Sequence, residues 1–409
     1  MPILSFPIKF SRFIACIVML GCIGCGSSDS DIVDMDSCVS LVEPAESTEV
    51  VTLHSGPALW NSGEGWEIME EMRLGSGKEE NPILFGRIRS MDIDSDGYLY
   101  ILDSTTQEIY VFDDQGVHVR TVGSIGAGPG EFENAVSVDV SESGEIWVME
   151  MQAGKLTIFD SDGNYLRTEQ VNTAGWIILP YPGGFDAIGR YNAVVLCYDN
   201  HEQETKRMLA RFDQTFSPLD TIAIPNVPLT YEDFTHITDN GGSLSMAIPF
   251  QASSRWGFSS DGHFWTLVTD PYELTKVSAG GQAIRRITKD VDKIKVTDSE
   301  LQQVIENHQW FIDQGGRIDA DRIPRHKPAI DSFFSDDEGN LWVKRSESRP
   351  DQIESHFDIF NSDGDYLGEV QMPFKIESTY LSKIQNGLLY SMILDEEGAQ
   401  VIVRARILK

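Results

Sequence analysis

The sequence is poor in basic residues. Its 409 residues include 32 Lys and Arg but 64 Asp and Glu, which gives a net charge of -32. A surface this acidic repels phosphate backbones and anionic lipid headgroups. The composition therefore argues against nucleic-acid binding and against membrane docking through a basic patch.

Cysteine is also scarce, with only five residues in the chain. Cys16, Cys22 and Cys25 lie close to the N-terminus, Cys38 follows in a polar stretch, and Cys197 lies within AVVLCYD. Such a distribution provides no disulfide framework. We expect a buried thiol at Cys197 and an incidental Cys38, so that the core alone supplies the stability.

Apolar runs long enough to span a bilayer are absent. The N-terminal apolar run, FIACIVML, is too short. Lys9 and Arg12 precede it, which is typical of an export signal. The following MLGC and CIGC resemble the lipobox of bacterial lipoproteins, and this resemblance implies lipidation of Cys22 or Cys25. An ordinary cleaved signal is the alternative. We assign residues 1–24 to the signal and 25–65 to a polar, acidic tether.

Several catalytic motifs are missing. The glycine-rich GAGPG lacks the lysine and helix of a phosphate-binding loop, and no GxSxG nucleophile motif occurs. The eight histidines are scattered and show no zinc-binding spacing. No cofactor is predicted, although calcium or another divalent ion remains open, because ligands can come from positions far apart in the sequence.

One segment, DIDSDGYLYILD, matches the start of a calcium loop. Asp92, Asp94, Asp96 and Gly97 have the required spacing, and Asp103 occupies the twelfth position. The flanking residues predict strands instead of helices, and Asp-Gly is a preferred hairpin turn. We therefore interpret the segment as two strands joined by a turn.

A repeat dominates the sequence between residues 90 and 171. SMDIDSDGYLYILDSTTQEIYVFDDQGVHVRTVG is followed by SVDVSESGEIWVMEMQAGKLTIFDSDGNYLRTEQV, and each copy holds four short apolar runs separated by turn residues. This pattern predicts a four-stranded antiparallel meander, and its length is that of one propeller blade. The fold class is therefore all-β.

Four further blades follow by the same criteria, at residues 183–225, 252–291, 329–373 and in the C-terminal segment, which holds only three good strands. An incomplete blade would expose unpaired backbone groups. We predict that residues 66–75 (WEIMEEMRLG) supply its outermost strand and close a six-bladed ring over residues 66–409. Phe85 and Phe132, each in a glycine-containing linker, are expected to wedge between blades.

Two insertions interrupt the blades. Residues 297–325 begin with a helical period, in which Thr297 and Glu300 form a capping-box pattern. We expect this helix to lie across one mouth of the propeller. Residues 226–251 have a loop-like composition.

The motifs GAGPGEF, FDSDGNYL, DEGNLWV and FDIFNSDGDYLGEVQMP resemble those of bacterial six-bladed propellers related to the NHL repeat, which include lipoproteins and secreted proteins. The resemblance covers roughly residues 66–409. It implies a six-bladed β-propeller of four-stranded blades, and it leaves function open because propellers host both binding and catalysis.

Candidate ligand-binding residues lie near the predicted innermost strands, where loops converge on the channel. These positions share a guanidinium or ring side chain, and they are Arg89, Arg190, Tyr191, Arg255, Trp256 and His326. Structural roles, such as pairing between blades, are the alternative for each.

The sequence favours a non-enzymatic module that binds a small ligand or an envelope protein and is held to the membrane by its lipid. A metal-assisted lactonase or lyase of the propeller type is the alternative, and it requires Asp, Glu, Asn or His side chains that converge on one ion. Neither Ile23 nor Gly26 is Asp, which by the enteric sorting rule indicates the outer membrane.

Overall fold

Alternating runs and turn residues form six four-stranded antiparallel sheets arranged as a propeller. The computed structural model describes residues 50–409, except positions 62, 79–80, 151–153, 171–176, 186–188, 200–203, 214–215, 224–231, 260–262, 279 and 348–353. Four strands precede the repeats: β1 (Val51–His54), β2 (Glu67–Leu74), β3 (Ser76–Lys78) and β4 (Asn81–Leu84). Strands β3 and β4 form a small hairpin before the first blade.

Blades 1 and 2 are the two copies of the repeat, as predicted. Their strands run in order from the channel outward. Blade 1 holds β5 (Ile88–Ile93), β6 (Leu99–Asp103), β7 (Glu108–Phe112) and β8 (His118–Val122); blade 2 holds β9 (Ala135–Val140), β10 (Ile146–Glu150), β11 (Lys155–Phe159) and β12 (Tyr165–Gln170).

The next two blades are separated by the first insertion. Blade 3 holds β13 (Ile177–Phe185), β14 (Tyr191–Asp199), β15 (Glu204–Phe212) and β16 (Pro218–Ala223). The insertion holds β17 (Asp233–Ile237) and β18 (Ser243–Ala247). Blade 4 holds β19 (Ser254–Phe258), β20 (Phe264–Val268), β21 (Glu273–Val277) and β22 (Ala283–Thr288). The loop prediction for residues 226–251 is thus wrong within the described part. Strands β17 and β18 form a hairpin that turns at Gly241.

The second insertion and the last two blades complete the chain. The insertion holds helices α1 (Asp298–Asn307) and α2 (Gln309–Asp313) and a 3-10 turn at Ala320–Arg322. Blade 5 holds β23 (Ile330–Ser335), β24 (Leu341–Arg345), β25 (His356–Phe360) and β26 (Tyr366–Gln371). Blade 6 follows a 3-10 turn at Thr379–Leu381 and holds β27 (Ser382–Gln385), β28 (Leu388–Leu394) and β29 (Gln400–Leu408).

Strand β2 is the outermost strand of blade 6, which confirms the predicted closure of the ring. It pairs antiparallel with β29, from Glu67 opposite Leu408 to Leu74 opposite Ile402. Ile68 and Leu74 are buried. The closure therefore joins residues from both ends of the propeller in one sheet.

Attachment to the ring begins earlier than the predicted boundary at residue 66. Strand β1 pairs in parallel with β22, as a fifth strand at the outer edge of blade 4. Further along, the backbone amides of Leu59 and Trp60 donate to the carbonyls of Tyr366 and Leu367 in blade 5. Residues 50–74, which we call the strap, thus contact blades 4, 5 and 6 in turn.

Phe85 and Phe132 are the predicted wedges between blades. Phe132 is fully buried in a cluster shared by blades 1 and 2, and Phe85 packs between blades 6 and 1. A Cβ on Gly123 would lie 2.1 Å from the Phe132 ring, and one on Gly75 would lie 2.2 Å from the Phe85 ring. Both glycines have positive φ, which only glycine adopts cheaply.

The two insertions pack against each other. Helix α1 begins with the predicted capping box, in which Thr297 Oγ1 accepts from the Glu300 amide and the Glu300 carboxylate accepts from the Thr297 amide. Phe234 of β17 and Met246 of β18 share a buried cluster with Val304 of α1 and Phe311 of α2. The insertions form one small unit with its own apolar core, which we call the cap.

Candidate functional site

Four antiparallel strands per blade give the propeller two distinct faces. The chain enters each innermost strand from a linker, and the outermost strand returns to the same face, which we call the linker face. The turns between first and second strands lie at the opposite face, the turn face. Both insertions connect an outermost strand with the next innermost strand, so the cap lies at the linker face.

A cavity of about 490 Å³ occupies the channel near the turn face. All six blades line it, mainly through the second halves of their innermost strands. One residue from each blade, in order from blade 1 to blade 6, is Asp92, Asp139, Asn192, Trp256, Phe334 and Lys383. The sequence predicted a ligand site where the innermost strands begin, whereas this cavity lies where they end.

An ionic cluster joins three blades at one side of the cavity. Lys383 Nζ lies 2.5 Å from Asp92 Oδ1. Asp92 Oδ2 also accepts the Val140 amide of blade 2 at 2.8 Å. Asp139, next to Val140, is 6% exposed and accepts the Tyr191 hydroxyl of blade 3 on Oδ2 at 3.1 Å.

Burial and neighbouring charge set the protonation of these groups. Burial, and next the Asp92 charge, raise the pKa of Asp139 to about 6. Burial alone would lower the pKa of Lys383, but the carboxylates of Asp92 and Asp139 raise it above its ordinary value. Burial and the Asp139 charge raise the pKa of Tyr191 well above 10, so its hydroxyl remains a donor. The cluster therefore carries an ionised Lys383, with Asp139 ionised above about pH 6.

Aromatic side chains line the part of the cavity formed by blades 4 and 5. Trp256 and Phe258 come from β19, and Phe333 and Phe334 come from β23. Phe258 is half-buried, whereas the other three are nearly buried. In a ring of six, blades 4 and 5 lie across the channel from blades 1 and 2. These four side chains, which we call the aromatic wall, thus lie opposite the carboxylates of Asp92 and Asp139.

The structure brings two of the predicted ligand-binding residues to this cavity. Trp256 lines it directly. Tyr191 is buried behind it and reaches it through the hydrogen bond to Asp139.

The other four predicted residues do not line the cavity. Arg89 and Arg255 lie in the first halves of β5 and β19, toward the linker face. Arg190 lies in the loop before β14, where its carbonyl accepts from Asn192 Nδ2 at 3.0 Å. His326 is exposed and forms an isolated β-bridge with Lys295 beside the cap. Lipidation at Cys22 or Cys25 lies outside the described residues.

The calcium-loop lookalike is a hairpin, as the turn interpretation predicts. Asp94 Oδ1 accepts the amides of Asp96 and Tyr98, which fixes the turn between β5 and β6. Asp103 is fully buried at the far end of β6, where it accepts the amides of Gly86 and Arg87. Its carboxylate holds the linker in place.

No group of three or more His, Cys, Asp or Glu side chains in the described residues is placed to hold a metal ion. In the channel, the Asp92 carboxylate is already paired with Lys383, whereas a metal ion would need a free carboxylate. The donor set therefore does not fit the ion that a metal-assisted propeller enzyme would require.

Sequence reasoning missed Asp139, Lys383 and the phenylalanines of β23. A signal was available for the acids, because Asp92 and Asp139 occupy the same position in SMDIDSDG and SVDVSESG, the penultimate residue of an innermost strand. No local pattern marks Lys383, because its role depends on a partner in blade 1.

Comparisons with known proteins agree with this architecture. Residues 78–231 match the family model DUF5128, described as a 6-bladed beta-propeller. Together with the six blades, this match confirms the resemblance to bacterial six-bladed propellers. No curated protein matches the sequence.

Solved structures of similar fold have low sequence identity to the chain. A protein named as exported, from Bacteroides fragilis NCTC 9343, is 13% identical, with 88% of this chain and 100% of that chain covered and a TM-score of 0.47. A DUF4221 member from Bacteroides vulgatus is 13% identical, with coverages of 84% and 99% and a TM-score of 0.47. Virginiamycin B lyase from Staphylococcus aureus is 10% identical, with coverages of 84% and 100% and a TM-score of 0.44. No site residue is transferred from them.

Proposed function

We propose that the protein is a lipid-anchored, extracytoplasmic binding module whose channel receives a small ligand at the turn face. The observation that carries this proposal is the cavity itself. It is of a size that ligand sites commonly have, and it combines apolar walls with a few convergent polar groups. A rigid ring holds these groups, because each innermost strand is fixed within a four-stranded sheet.

An unpartnered hydroxyl group supports a small ligand. Ser259 Oγ is buried at the cavity and has no hydrogen-bond partner among the described residues. A buried hydroxyl without a partner costs free energy, which a bound ligand would recover. We therefore propose a small ligand, in preference to an envelope protein, as the partner. A protein partner would have to insert a side chain into the same cavity.

The N-terminal sequence supports the proposed lipid anchor. The described residues contain no helix long and apolar enough to cross a membrane. Lipid on Cys22 or Cys25, at the start of the polar tether, would hold the propeller at the membrane of the cell envelope, and we propose the outer membrane. No observation favours the metal-assisted lactonase or lyase, because the channel lacks a fitting donor set in the described residues.

A thermal-shift screen of small molecules tests the binding function. Glu142 lines the cavity and is exposed in the turn after β9, so Glu142→Trp should block the mouth without disturbing the core. Ser95, at the equivalent turn position of blade 1, does not line the cavity, and Ser95→Trp is the matched control. Compounds that stabilise the wild type and Ser95→Trp but not Glu142→Trp support the proposal. Equal shifts in both variants contradict it.

Incorporation of labelled palmitate tests the anchor in a bacterial host. We expect either Cys22→Ser or Cys25→Ser to abolish the label and to release the protein from the membrane fraction. An unlabelled wild-type protein in the soluble fraction would contradict the lipid anchor while leaving the binding function open.

A further inference from the structure

The charges around the cavity are unbalanced. Its lining includes two basic residues, Arg211 and Lys383, and five acidic ones: Asp92, Asp139, Glu142, Asp336 and Asp337. The bases are already engaged, because Arg211 forms a two-point pair with Asp220 and Lys383 pairs with Asp92. The excess of carboxylates would attract a cation to the turn face, and the net charge of -32 would enrich cations near the mouth.

Glu142 and Asp337 are exposed, and among the other three acids Asp139 has the fewest protein partners. Asp336 is saturated by the Asn340 amide, the Asn340 side chain and Trp342 Nε1. Asp92 has Lys383 and two backbone amides. Asp139 accepts the Tyr191 hydroxyl on Oδ2 and interacts with the Ser137 hydroxyl, and Lys383 acts on it electrostatically without forming an ion pair.

The second oxygen of Asp139 faces a space beside the cavity. Oδ1 lies 3.2 Å from the position that a Cβ on Gly184 would occupy, and Gly184 lines the cavity. Ser137 precedes Asp139 by two residues on β9, so both side chains point to the same side of the strand. The Ser137 hydroxyl therefore lies beside Asp139 and provides a second acceptor there.

We infer that the ligand of the channel is an ammonium cation with an apolar group, bound by Asp139 and Ser137 and covered by the aromatic wall. This inference rests on the proposed binding function. An ammonium group donates several hydrogen bonds, which suits a carboxylate and a hydroxyl side by side. Phe258, Phe333 and Phe334 lie across the channel and offer apolar surface for the apolar group of the ligand.

Three probes of equal size and different charge test the inference: 4-phenylbutylamine, 4-phenylbutanol and 4-phenylbutyrate. Their affinities are measured by calorimetry on the purified protein at about pH 8, where Asp139 is ionised. We expect the amine to bind about tenfold more tightly than either of the others, with an affinity that falls as salt is added. Asp139→Asn should reduce the amine affinity about tenfold and leave the alcohol affinity unchanged.

Asp162→Asn is the matched control, because Asp162 is exposed in a turn of blade 2 and does not line the cavity. It should bind all three probes as the wild type does. If Asp139→Asn does not fold, Ser137→Ala is used, with an expected loss of amine affinity of about threefold.

Two outcomes overturn the inference in distinguishable ways. Tighter binding of the alcohol or the carboxylate, abolished by Glu142→Trp, would refute the cation and leave the binding function standing. No binding of any probe, together with an unproductive thermal-shift screen, would refute both.

Discussion

Lys383 Nζ and Asp92 Oδ1, which are 2.5 Å apart, form an ion pair between the last blade and the first. Asp92 is 13% exposed and Lys383 39% exposed, so the pair is partly shielded from water. Because Asp92 also accepts the Val140 amide, the pair ties three consecutive blades together at the channel.

Lys383→Met should destabilise the protein by about 2 kcal/mol, because Asp92 and Asp139 would then repel each other without a compensating cation. Urea denaturation measures this loss. The double variant Asp92→Asn/Lys383→Met should be more stable than the sum of the single effects implies. Arg73→Met, which breaks a more exposed pair with Glu70, should cost at most about 1 kcal/mol. Strict additivity of the Asp92 and Lys383 effects would show that the pair is not coupled.

Asp139 should make stability depend on pH. Its pKa in the folded protein, about 6, exceeds the ordinary value of 3.8, so the folded state binds the proton more tightly than the unfolded state. The free energy of unfolding contributed by this group is therefore largest below about pH 4 and decreases as the pH rises through 6. Asp92, Lys383 and Tyr191 face Asp139, and the raised pKa values of Lys383 and Tyr191 keep the charge states of these two groups constant over this range.

The measurement compares the wild type with Asp139→Asn at about pH 4.5 and about pH 7.5 by urea denaturation. The wild type should lose about 2 kcal/mol relative to the variant between these values. Other titrating carboxyl groups cancel in the comparison, and Asp162→Asn should parallel the wild type. A pH-independent difference would mean that Asp139 titrates normally.

Much of the fold could be predicted because its signals are local. Asp-Gly turns and alternating runs mark each blade, and the linker glycines followed by Phe85 and Phe132 mark the junctions. The closing strand β2 could be predicted by counting strands, because the C-terminal segment contains one strand too few for a complete blade 6. These features depend on residues close in sequence or on a simple requirement for paired edges.

The cavity could not be predicted in the same way. Its residues come from six separate strands, and the inward direction of each depends on register and bulges. Arg89 and Arg255, the predicted binding residues, lie near the beginnings of innermost strands, whereas Asp92 and Phe258, a few residues later, line the cavity. The strap segment at β1 was missed because Val51–His54 is short and its partner, β22, is far away in sequence.

Successive N-terminal truncations should separate the roles of the strap. Removal of residues before 50 should leave the melting temperature unchanged. Removal to residue 65 deletes β1 and Trp60 and should lower it by a few degrees, since about 1 kcal/mol corresponds to roughly 1–2 degrees in a domain of this size. Removal to residue 75 also deletes β2 and exposes the edge of β29, which should prevent cooperative unfolding altogether. Equal melting temperatures for the last two truncations would contradict the closing role of β2.

Trp60 and Gly368 define where the strap crosses blade 5. Gly368, on β26, has a φ of +156°, and a Cβ there would lie 2.4 Å from the Trp60 ring. Trp60 in turn contacts Trp66, with ring centroids 5.1 Å apart, and Trp66 contacts Trp342 in the blade core at 5.5 Å. Gly368→Ala should therefore displace Trp60 and cost about 2 kcal/mol, of which the strained backbone accounts for part.

A double variant separates the two contributions. In Trp60→Ala/Gly368→Ala the steric conflict is absent, so the second substitution should cost only the backbone strain, about 1 kcal/mol. Gly398→Ala is the control, because Gly398 also has a positive φ but nothing lies within 4 Å of its missing Cβ. Its cost should equal that of Gly368→Ala in the Trp60→Ala background. If Gly368→Ala costs the same with and without Trp60, the strap does not press on blade 5 in solution.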